Sequence, residues 1–333
     1  MCMHHNVVDA TGFAEVLGIW ARNTSIEGTI VDIHHHEYRQ SRLSTALSAH
    51  LEPTHARSLD SLLDAHPEYS RSPPQLPQAL PAYTTKLFGI PTSRLDEAKG
   101  LVSEYIPKPT TNTILSALVW LGITRARAQR VSQFNEDELI TLISAVNSRR
   151  RVFGSESPYF GNMVLYALSK LPMNQMSSVI NENEAPPELI AKLCTAISES
   201  QSSNRIDADH IAEVYSLVDR WDDPRTLFPG WDLFNSRNVT VTSWAGLDLY
   251  GVDFGRGLGK PEFVRIPASQ ADGVVILLPR RMVEARETVG SKDGSRELAE
   301  VMIMLREDDM KALEGDKFIA EFWNEAENIS CRV

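Results

Sequence analysis

Two histidines and an aspartate near the amino end form the first group that could carry out chemistry. His4 and His5 precede Asp9 in the pattern HHxxxD, directly before a stretch with helical hydrophobic spacing. Histidine suits proton transfer because its ordinary pKa, about 6.5, lies close to neutral pH. The spacing also arises by chance, so two interpretations stand: a catalytic imidazole supported by a carboxylate, and a surface turn in which Asp9 caps the helix.

A second group lies far downstream, where glycines alternate with other residues after an acidic and an aromatic side chain. Residues 253–259 read DFGRGLG. Alternating glycines indicate positive φ angles or the close approach of another backbone segment. The run does not match a dinucleotide-binding fingerprint, because no glycine stands three residues after Gly257 and no helical pattern follows. Taken alone, it fits a glycine-rich hairpin turn.

Hydrophobic spacing predicts a helix directly after the first group. Apolar residues from Phe13 to Ala21 recur at i, i+3, i+4, i+7 and i+8, and Thr11 stands where an N-cap would. Gly12 would let the chain turn into this helix. Several prolines between residues 66 and 82 exclude a continuous helix or central strand, so we predict a semi-rigid linker between domains there.

Beyond the linker, the pattern predicts a mixture of strands and helices. The expected strands are 86–90, 239–244, 274–278 and 301–305, and the expected helices are 114–123, 136–145 and 307–313. Residues 110–112 can cap the first of these helices. Such a mixture in two units favours an α/β or α+β class over an all-helical protein.

The composition is that of a globular protein and excludes several classes of partner. The 333 residues are 42% hydrophobic, and their net charge of −11 argues against a broad nucleic-acid surface. We find neither a signal peptide pattern nor an apolar run of about 18 residues, so we expect a cytoplasmic protein without a membrane partner. The three cysteines and the row His34–His36 lack the spacing of a metal site, so no metal is expected.

Taken together, HHxxxD and DFGxG resemble the motifs of the BAHD family of acyl-CoA-dependent acyltransferases. The sequence between the two motifs resembles that of the family's fungal branch, which includes trichothecene acetyltransferases and related secondary-metabolite enzymes. The similar segments occur in the expected order at 111–120, 124–127, 147–151, 159–162 and 241–244. Condensation domains of peptide synthetases share HHxxxD, but the DFGxG segment argues against them. The resemblance implies an α/β, two-domain fold like that of chloramphenicol acetyltransferase, with mixed sheets flanked by helices.

The resemblance implies a role for the first group. His5 would be the general base that takes a proton from an acceptor hydroxyl while the oxygen attacks the thioester. Asp9 would turn away from the cleft and pair with an arginine, thereby fixing the loop that presents His5. Arg149 and Arg151 are the candidate partners, because the pattern Asn-x-Arg-x-Arg matches there.

The resemblance also assigns the downstream residues. Thr242 and Trp244 would stabilise the tetrahedral oxyanion. Asp253, Gly255 and Gly257 would shape the channel without touching the reacting atoms. The residues that would hold CoA stay unassigned, since the nearby cations fit solvated surface charges equally well; these are Lys260, Arg265, Arg280 and Arg281.

The expected activity is acyl transfer outside the aminoacyl class, from acyl-CoA to a hydroxyl of a small fungal secondary metabolite. Acetyl-CoA is the favoured co-substrate, no cofactor is expected to stay bound, and the family is mostly monomeric. Two residues depart from the family motifs, namely Arg256 in place of tryptophan and Ala10 in place of glycine.

The family motif begins here at residue 4, whereas family members carry a substantial part of the chain before it. The resemblance therefore predicts an incomplete first domain at residues 1–65, a linker at 66–82 and a second domain at 83–333. The alternative interpretation is a catalytically inactive remnant, or a gene-model fragment of such an enzyme.

Overall fold

One mixed sheet is the framework of the protein. The computed structural model describes residues 2–25, 39–130, 135, 137–154, 159–177, 180, 182, 185–267, 271–283 and 296–323. The strands lie in the order β2 (Tyr83–Pro91), β9 (Arg296–Arg306), β7 (Val274–Leu277), β6 (Asn238–Ser243), β3 (Leu139–Asn147) and β4 (Val164–Pro172). β6 is parallel to both of its neighbours, and the other pairs are antiparallel. β8 (Arg281–Val283) also pairs with β9, and β1 (Tyr69–Ser70) forms a separate ribbon with β5 (Phe228–Pro229).

Helices pack around this sheet and around one another. In chain order they are α1 (Ala10–Ser25), α2 (Arg39–Ala46), α3 (Ser48–His55), α4 (Leu59–Ala65), α5 (Thr92–Val102), α6 (Thr111–Arg130), α7 (Arg149–Phe153), α8 (Asn174–Ser177), α9 (Pro187–Ser200), α10 (Ala208–Asp219), α11 (Glu307–Gly315) and α12 (Lys317–Trp323). A short 3₁₀ turn spans Pro224–Thr226. α6 is buried along its whole middle because α5, α9, α11 and the sheet surround it. Among the described residues, no helix combines the length and apolarity needed to cross a bilayer.

Side-chain alternation along β6 separates two apolar clusters. Val239 and Val241 point into the large core between the sheet and α6. The next alternate positions, Thr242 and Trp244, lie on the opposite face of the strand. There Trp244 packs against a smaller cluster made of Leu87, Ile276, Leu278, Met302 and Met304. The two predicted oxyanion residues therefore share one face of the sheet.

The first residues of the proline-rich segment are packed rather than extended in solvent. His66 and Glu68 are 1% and 5% exposed, and β1 pairs with β5 directly afterwards. α3 and α4 pack against α10 on the same side. The division of the chain into residues 1–65, 66–82 and 83–333 stays a prediction.

Most elements expected from the sequence are confirmed, and one is wrong. Residues 136–145 were expected to be helical, but β3 occupies Leu139–Asn147. Five consecutive residues of β3 are buried, which is typical of a central strand and hides the alternation that would reveal it. The N-cap expected at Thr11 is also wrong: α1 begins at Ala10, and the Asp9 carboxylate caps it by accepting from the Gly12 N–H at 2.9 Å, as the second interpretation of that segment predicts.

Candidate active site

A buried ion pair lies directly before α1. The guanidinium of Arg149 donates to both oxygens of Asp9, with Nη1–Oδ2 at 2.9 Å and Nη2–Oδ1 at 2.8 Å. Backbone N–H groups of Gly12 and Met163 donate to the same carboxylate at 2.9 Å each. Asp9 is 2% exposed, so this full set of donors offsets the cost of burying its charge.

The same arginine fastens a neighbouring segment. Arg149 donates from Nε to the Tyr159 carbonyl at 2.7 Å and from Nη2 to the Gly161 carbonyl at 2.5 Å. The amide of Asn162 then donates to the His5 carbonyl at 2.8 Å. The ion pair and segment 159–163 therefore hold the backbone of the turn that carries His5.

Only one of the two candidate arginines takes part. Arg151 donates instead to carbonyl groups at the end of α9 and beyond it, at 2.6 Å to Gln201 and 2.7 Å to Ile206. Partial burial lowers the pKa of Arg151 from its ordinary value. The interpretation of Arg151 as a partner of Asp9 is therefore wrong, because its side chain leaves α7 toward another part of the protein.

The histidines lie on a turn that is closed by the Val7 N–H donating to the His4 carbonyl at 2.9 Å. The imidazoles of His4 and His5 are both exposed. His4 Nδ1 accepts from the Asn6 N–H at 3.2 Å. His5 thus has a fixed backbone and an accessible ring, which is what a group that meets a substrate needs.

A cleft of about 1090 Å³ opens beside α1. Its walls are α1, starting at Thr11, the start of α7 and the loop 246–253 that follows β6. A second cavity of about 630 Å³ is lined by the start of α6 and the end of β7, and Gly246 contributes to both cavities. Within the described part of the chain, His5, Thr242 and Trp244 are not among the lining residues of either cavity.

The predicted oxyanion residues differ in the donors they can offer. The backbone N–H of Trp244 already donates to the Leu277 carbonyl at 2.7 Å. The groups left for an oxyanion are therefore the Thr242 hydroxyl and the indole N–H of Trp244. Both residues are partly buried, so a donor there acts at reduced dielectric.

The glycine-rich segment is a turn that packs on the end of α1. Asp253 Oδ1 accepts from the Gly255 N–H at 2.8 Å, and the Phe254 N–H donates to the Gly259 carbonyl at 2.9 Å. The ring of Phe254 meets Trp20 of α1 edge-on at 5.5 Å. Asp253 thus lies in the wall of the cleft, and the turn that follows it packs on α1.

The positive φ angles fall on Gly255, at +85°, and on Gly259, at +69°. Gly255 also lies against α1, since a Cβ placed there would stand 2.9 Å from the Ser25 Cα. Around Gly257, no described heavy atom lies within 4 Å of that position. Gly257, which the resemblance assigned to shaping the channel, thus has neither a positive φ nor a close neighbour among the described residues, and the second positive φ falls on Gly259 instead.

Replacing Gly255 with Ala is expected to lower the free energy of unfolding by about 1–3 kcal/mol, since the new Cβ meets both a left-handed backbone and α1. Gly257→Ala is the matched control, with a change within about 0.5 kcal/mol. Urea denaturation of both variants measures the difference. Equal losses in the two variants would contradict the assignment.

Three arginines that sequence analysis considered for CoA already have partners. Arg265 Nη2 and Arg281 Nε lie 2.9 Å and 3.1 Å from Glu300 Oε1, and Glu300 is 2% exposed. Arg280 pairs with Glu297 at 3.0 Å and also lines the smaller cavity. Arg280 is therefore placed beside a cavity, whereas Arg265 and Arg281 neutralise a buried carboxylate.

The fold is the BAHD, chloramphenicol-acetyltransferase-like fold, as comparison with solved structures shows. TRI101 of F. sporotrichioides, complexed with coenzyme A and T-2, matches with a TM-score of 0.67 at 19% identity, over 95% of this chain and 64% of that one. Vinorine synthase matches with a TM-score of 0.54 at 16% identity, over 97% of this chain and 61% of that one. These likenesses establish the architecture.

The model of the transferase family matches residues 1–318, and the chain belongs to this family. Its relatives include the trichothecene 8-O-acetyltransferase of Fusarium sporotrichioides, 28% identical over 95% of this chain and 67% of the relative. The O-acetyltransferase dmxR13 of Cryptosporiopsis sp. (strain 8999) is 28% identical over 96% of this chain and 64% of the relative. The chain thus spans about two thirds of the length of these relatives.

Proposed function

We propose that this protein transfers an acyl group, in the first place acetyl, from a CoA thioester to a hydroxyl of a fungal secondary metabolite. The observation that carries the proposal is the buried Asp9–Arg149 pair, which fixes the turn bearing His5 directly before the helix that lines the cleft. Two further findings support it. The chain belongs to the transferase family, and relatives along nearly its whole length are named O-acetyltransferases.

In the proposed reaction, His5 accepts the hydroxyl proton while the alcohol oxygen bonds to the thioester carbonyl carbon. A neutral alcohol is a weak nucleophile at neutral pH, so a positioned base accelerates this step by about 10²–10⁴-fold. The tetrahedral intermediate then collapses with cleavage of the carbon–sulfur bond. The His5 imidazolium returns the proton to the departing thiolate, so the products are the ester and CoA.

Asp9 is a positioning residue in this mechanism. Both of its oxygens are occupied by Arg149 and by backbone N–H groups, so the carboxylate has no site left for the His5 ring. Its contribution is therefore the conformation of the turn, in contrast to a serine-protease triad, where the carboxylate contacts the histidine.

The developing oxyanion is proposed to accept from the Thr242 hydroxyl, with the indole N–H of Trp244 on the same face as a second donor. Thr242→Val removes the hydroxyl while keeping the β-branched shape of the strand. We expect kcat to fall by about 10²–10³-fold, the effect of losing one oxyanion donor. Thr240→Val on the same face of β6 is the control and should keep the wild-type rate. Equal rates for Thr242→Val and wild type would remove the oxyanion assignment.

The activity test incubates the full chain with acetyl-CoA and a panel of small-molecule alcohols that includes trichothecenes. Release of the CoA thiol and formation of the acetyl ester, followed by mass spectrometry, would support the proposal. Other acyl-CoA thioesters in the same assay identify the preferred acyl group. Binding of acetyl-CoA without ester formation from any acceptor would favour the inactive alternative.

We further propose that the protein works as a cytoplasmic monomer without a permanently bound cofactor. Light scattering of the purified chain measures its mass against the 37.2 kDa of one copy.

The division into two domains is tested by limited proteolysis. We expect cleavage between residues 71 and 82, because the residues before them are packed.

A further inference from the structure

A second cluster of histidine and carboxylate groups lies apart from the cleft, where the start of the proline-rich segment meets α10. His66 Nδ1 stands 3.0 Å from Glu68 Oε1, and His210 Nε2 stands 3.4 Å from that same oxygen. The side chains of His66 and Glu68 are 1% and 6% exposed. None of these residues takes part in the proposed transfer reaction.

The three ligand-type atoms converge as metal ligands do. One atom from each of His66, Glu68 and His210 lies within 4.8 Å of the other two. Around a tetrahedral zinc ion, with bonds of about 2.0–2.2 Å, ligand atoms stand about 3.3–3.6 Å apart. The observed 3.0 Å and 3.4 Å lie close to that spacing, and the third pair of ligand atoms, those of His66 and His210, lies within 4.8 Å.

His210 Nε2 is the atom of this cluster that makes no hydrogen bond within the described part of the chain. It is buried, and no donor or acceptor in the described part of the chain meets it with hydrogen-bond geometry, although Glu68 lies 3.4 Å away. A buried polar atom without a partner is costly. A cation bound between this nitrogen and Glu68 Oε1 would satisfy both groups.

The surroundings of His66 match the outer shell of a metal site. Its other nitrogen, Nε2, lies 3.0 Å from Glu213 Oε2, and Arg57 holds the second oxygen of Glu213. A ligating histidine usually donates its remaining N–H to a carboxylate, which fixes the ring and its tautomer. His210 and Glu213 stand three residues apart on α10, so both face the same side of that helix.

We propose that His66, Glu68 and His210 bind one Zn²⁺ ion, with Glu213 orienting His66. Two imidazoles and a carboxylate are a common zinc ligand set, and water can take the fourth position. His210 and Glu213 are 21% and 23% exposed, so the cluster lies close to the surface of the protein. The ion fastens the start of segment 66–82 to α10 and takes no part in acyl transfer.

The test measures zinc by elemental analysis in the full chain, purified without a polyhistidine tag and dialysed against micromolar Zn²⁺. We expect one zinc per chain and a higher melting temperature than after chelation. His210→Gln and Glu68→Gln should abolish stoichiometric binding, and Glu213→Ala should weaken it by about 10- to 100-fold. Circular dichroism confirms that each variant is folded, and chelation of wild type gives a readout that requires no variant.

Two controls separate this site from other histidines. His55→Gln replaces an exposed histidine at the end of α3 and should keep one zinc per chain. A triple change of His34, His35 and His36 to Gln should keep it as well. The proposal is overturned if wild type holds no stoichiometric zinc, if His210→Gln binds as tightly as wild type, or if the triple variant loses the ion. In those cases His66 is an imidazole hydrogen-bonded between two carboxylates.

Discussion

His5→Ala is expected to lower kcat for acetyl transfer by about 10²–10⁴-fold, the usual contribution of a general base. The free energy of unfolding should stay within about 0.5 kcal/mol of wild type, because the His5 ring is exposed. Steady-state release of CoA thiol measures the rate, and urea denaturation measures stability. A large loss of rate at unchanged stability is the signature of a chemical role.

His4→Ala is the matched control, since the neighbouring imidazole is exposed on the same turn. The His4 ring accepts from the Asn6 N–H at 3.2 Å, so its loss should affect the turn only slightly. We expect His4→Ala to keep the rate within a few-fold of wild type. Wild-type turnover by His5→Ala would remove the base assignment, and a collapse only in His4→Ala would move it to the neighbouring ring.

Asp9→Ala is expected to lower the free energy of unfolding by about 3–5 kcal/mol, because the buried guanidinium of Arg149 loses its counter-charge. The turn carrying His5 loses two further backbone anchors, those of Gly12 and Met163. Activity should therefore fall together with stability, in contrast to His5→Ala. Urea denaturation and the thiol-release assay measure the two effects on the same preparation.

The control for this change is Asp60→Ala, which removes an exposed ion pair with Arg71. Exposed pairs contribute about 0.2–1 kcal/mol, so this variant should remain close to wild type. Arg149→Lys should lower stability and activity as well, since an ammonium cannot form the paired hydrogen bonds that the guanidinium makes with Asp9. A loss in Asp9→Ala no larger than in Asp60→Ala would contradict the anchoring role.

Hydrophobic patterns in the sequence predicted the α/β class and four of the strands, namely β2, β6, β7 and β9, because such patterns are local. The error at residues 136–145 has a physical cause: β3 is buried on both faces, so its apolar run carries neither helical nor alternating periodicity. Packing against β4 and β6 decides the conformation there, and that pairing cannot be seen in the segment itself.

The family resemblance implied which residues form the candidate site, but it left their contacts open. Arg149 and Arg151 fit the motif equally, yet residues two apart on a helix face different directions, so only Arg149 reaches Asp9. Gly12 was expected to aid the turn into α1. The structure shows a steric reason instead, since a Cβ there would lie 2.1 Å from the Phe160 carbonyl oxygen.

The cluster of His66, Glu68 and His210 could not be predicted from the sequence, for a different reason. His66 and His210 stand far apart in the chain and belong to no known ligand spacing. Only the packing of α3 and α4 against α10 brings their rings to 4.7 Å. Long-range convergence of this kind leaves no trace in a single sequence.

The position of β9 has a consequence for biosynthesis. This late strand lies between β2 and β7. Phe88 of β2 pairs with Val301 of β9, which is about 200 residues further along the chain. At about 5–20 residues per second, a ribosome needs about 10–40 s to make the intervening stretch. During that interval, the edge of β2 that β9 later covers is unpaired. The yield of folded protein in a heterologous host should therefore depend on chaperones that shield nascent chains.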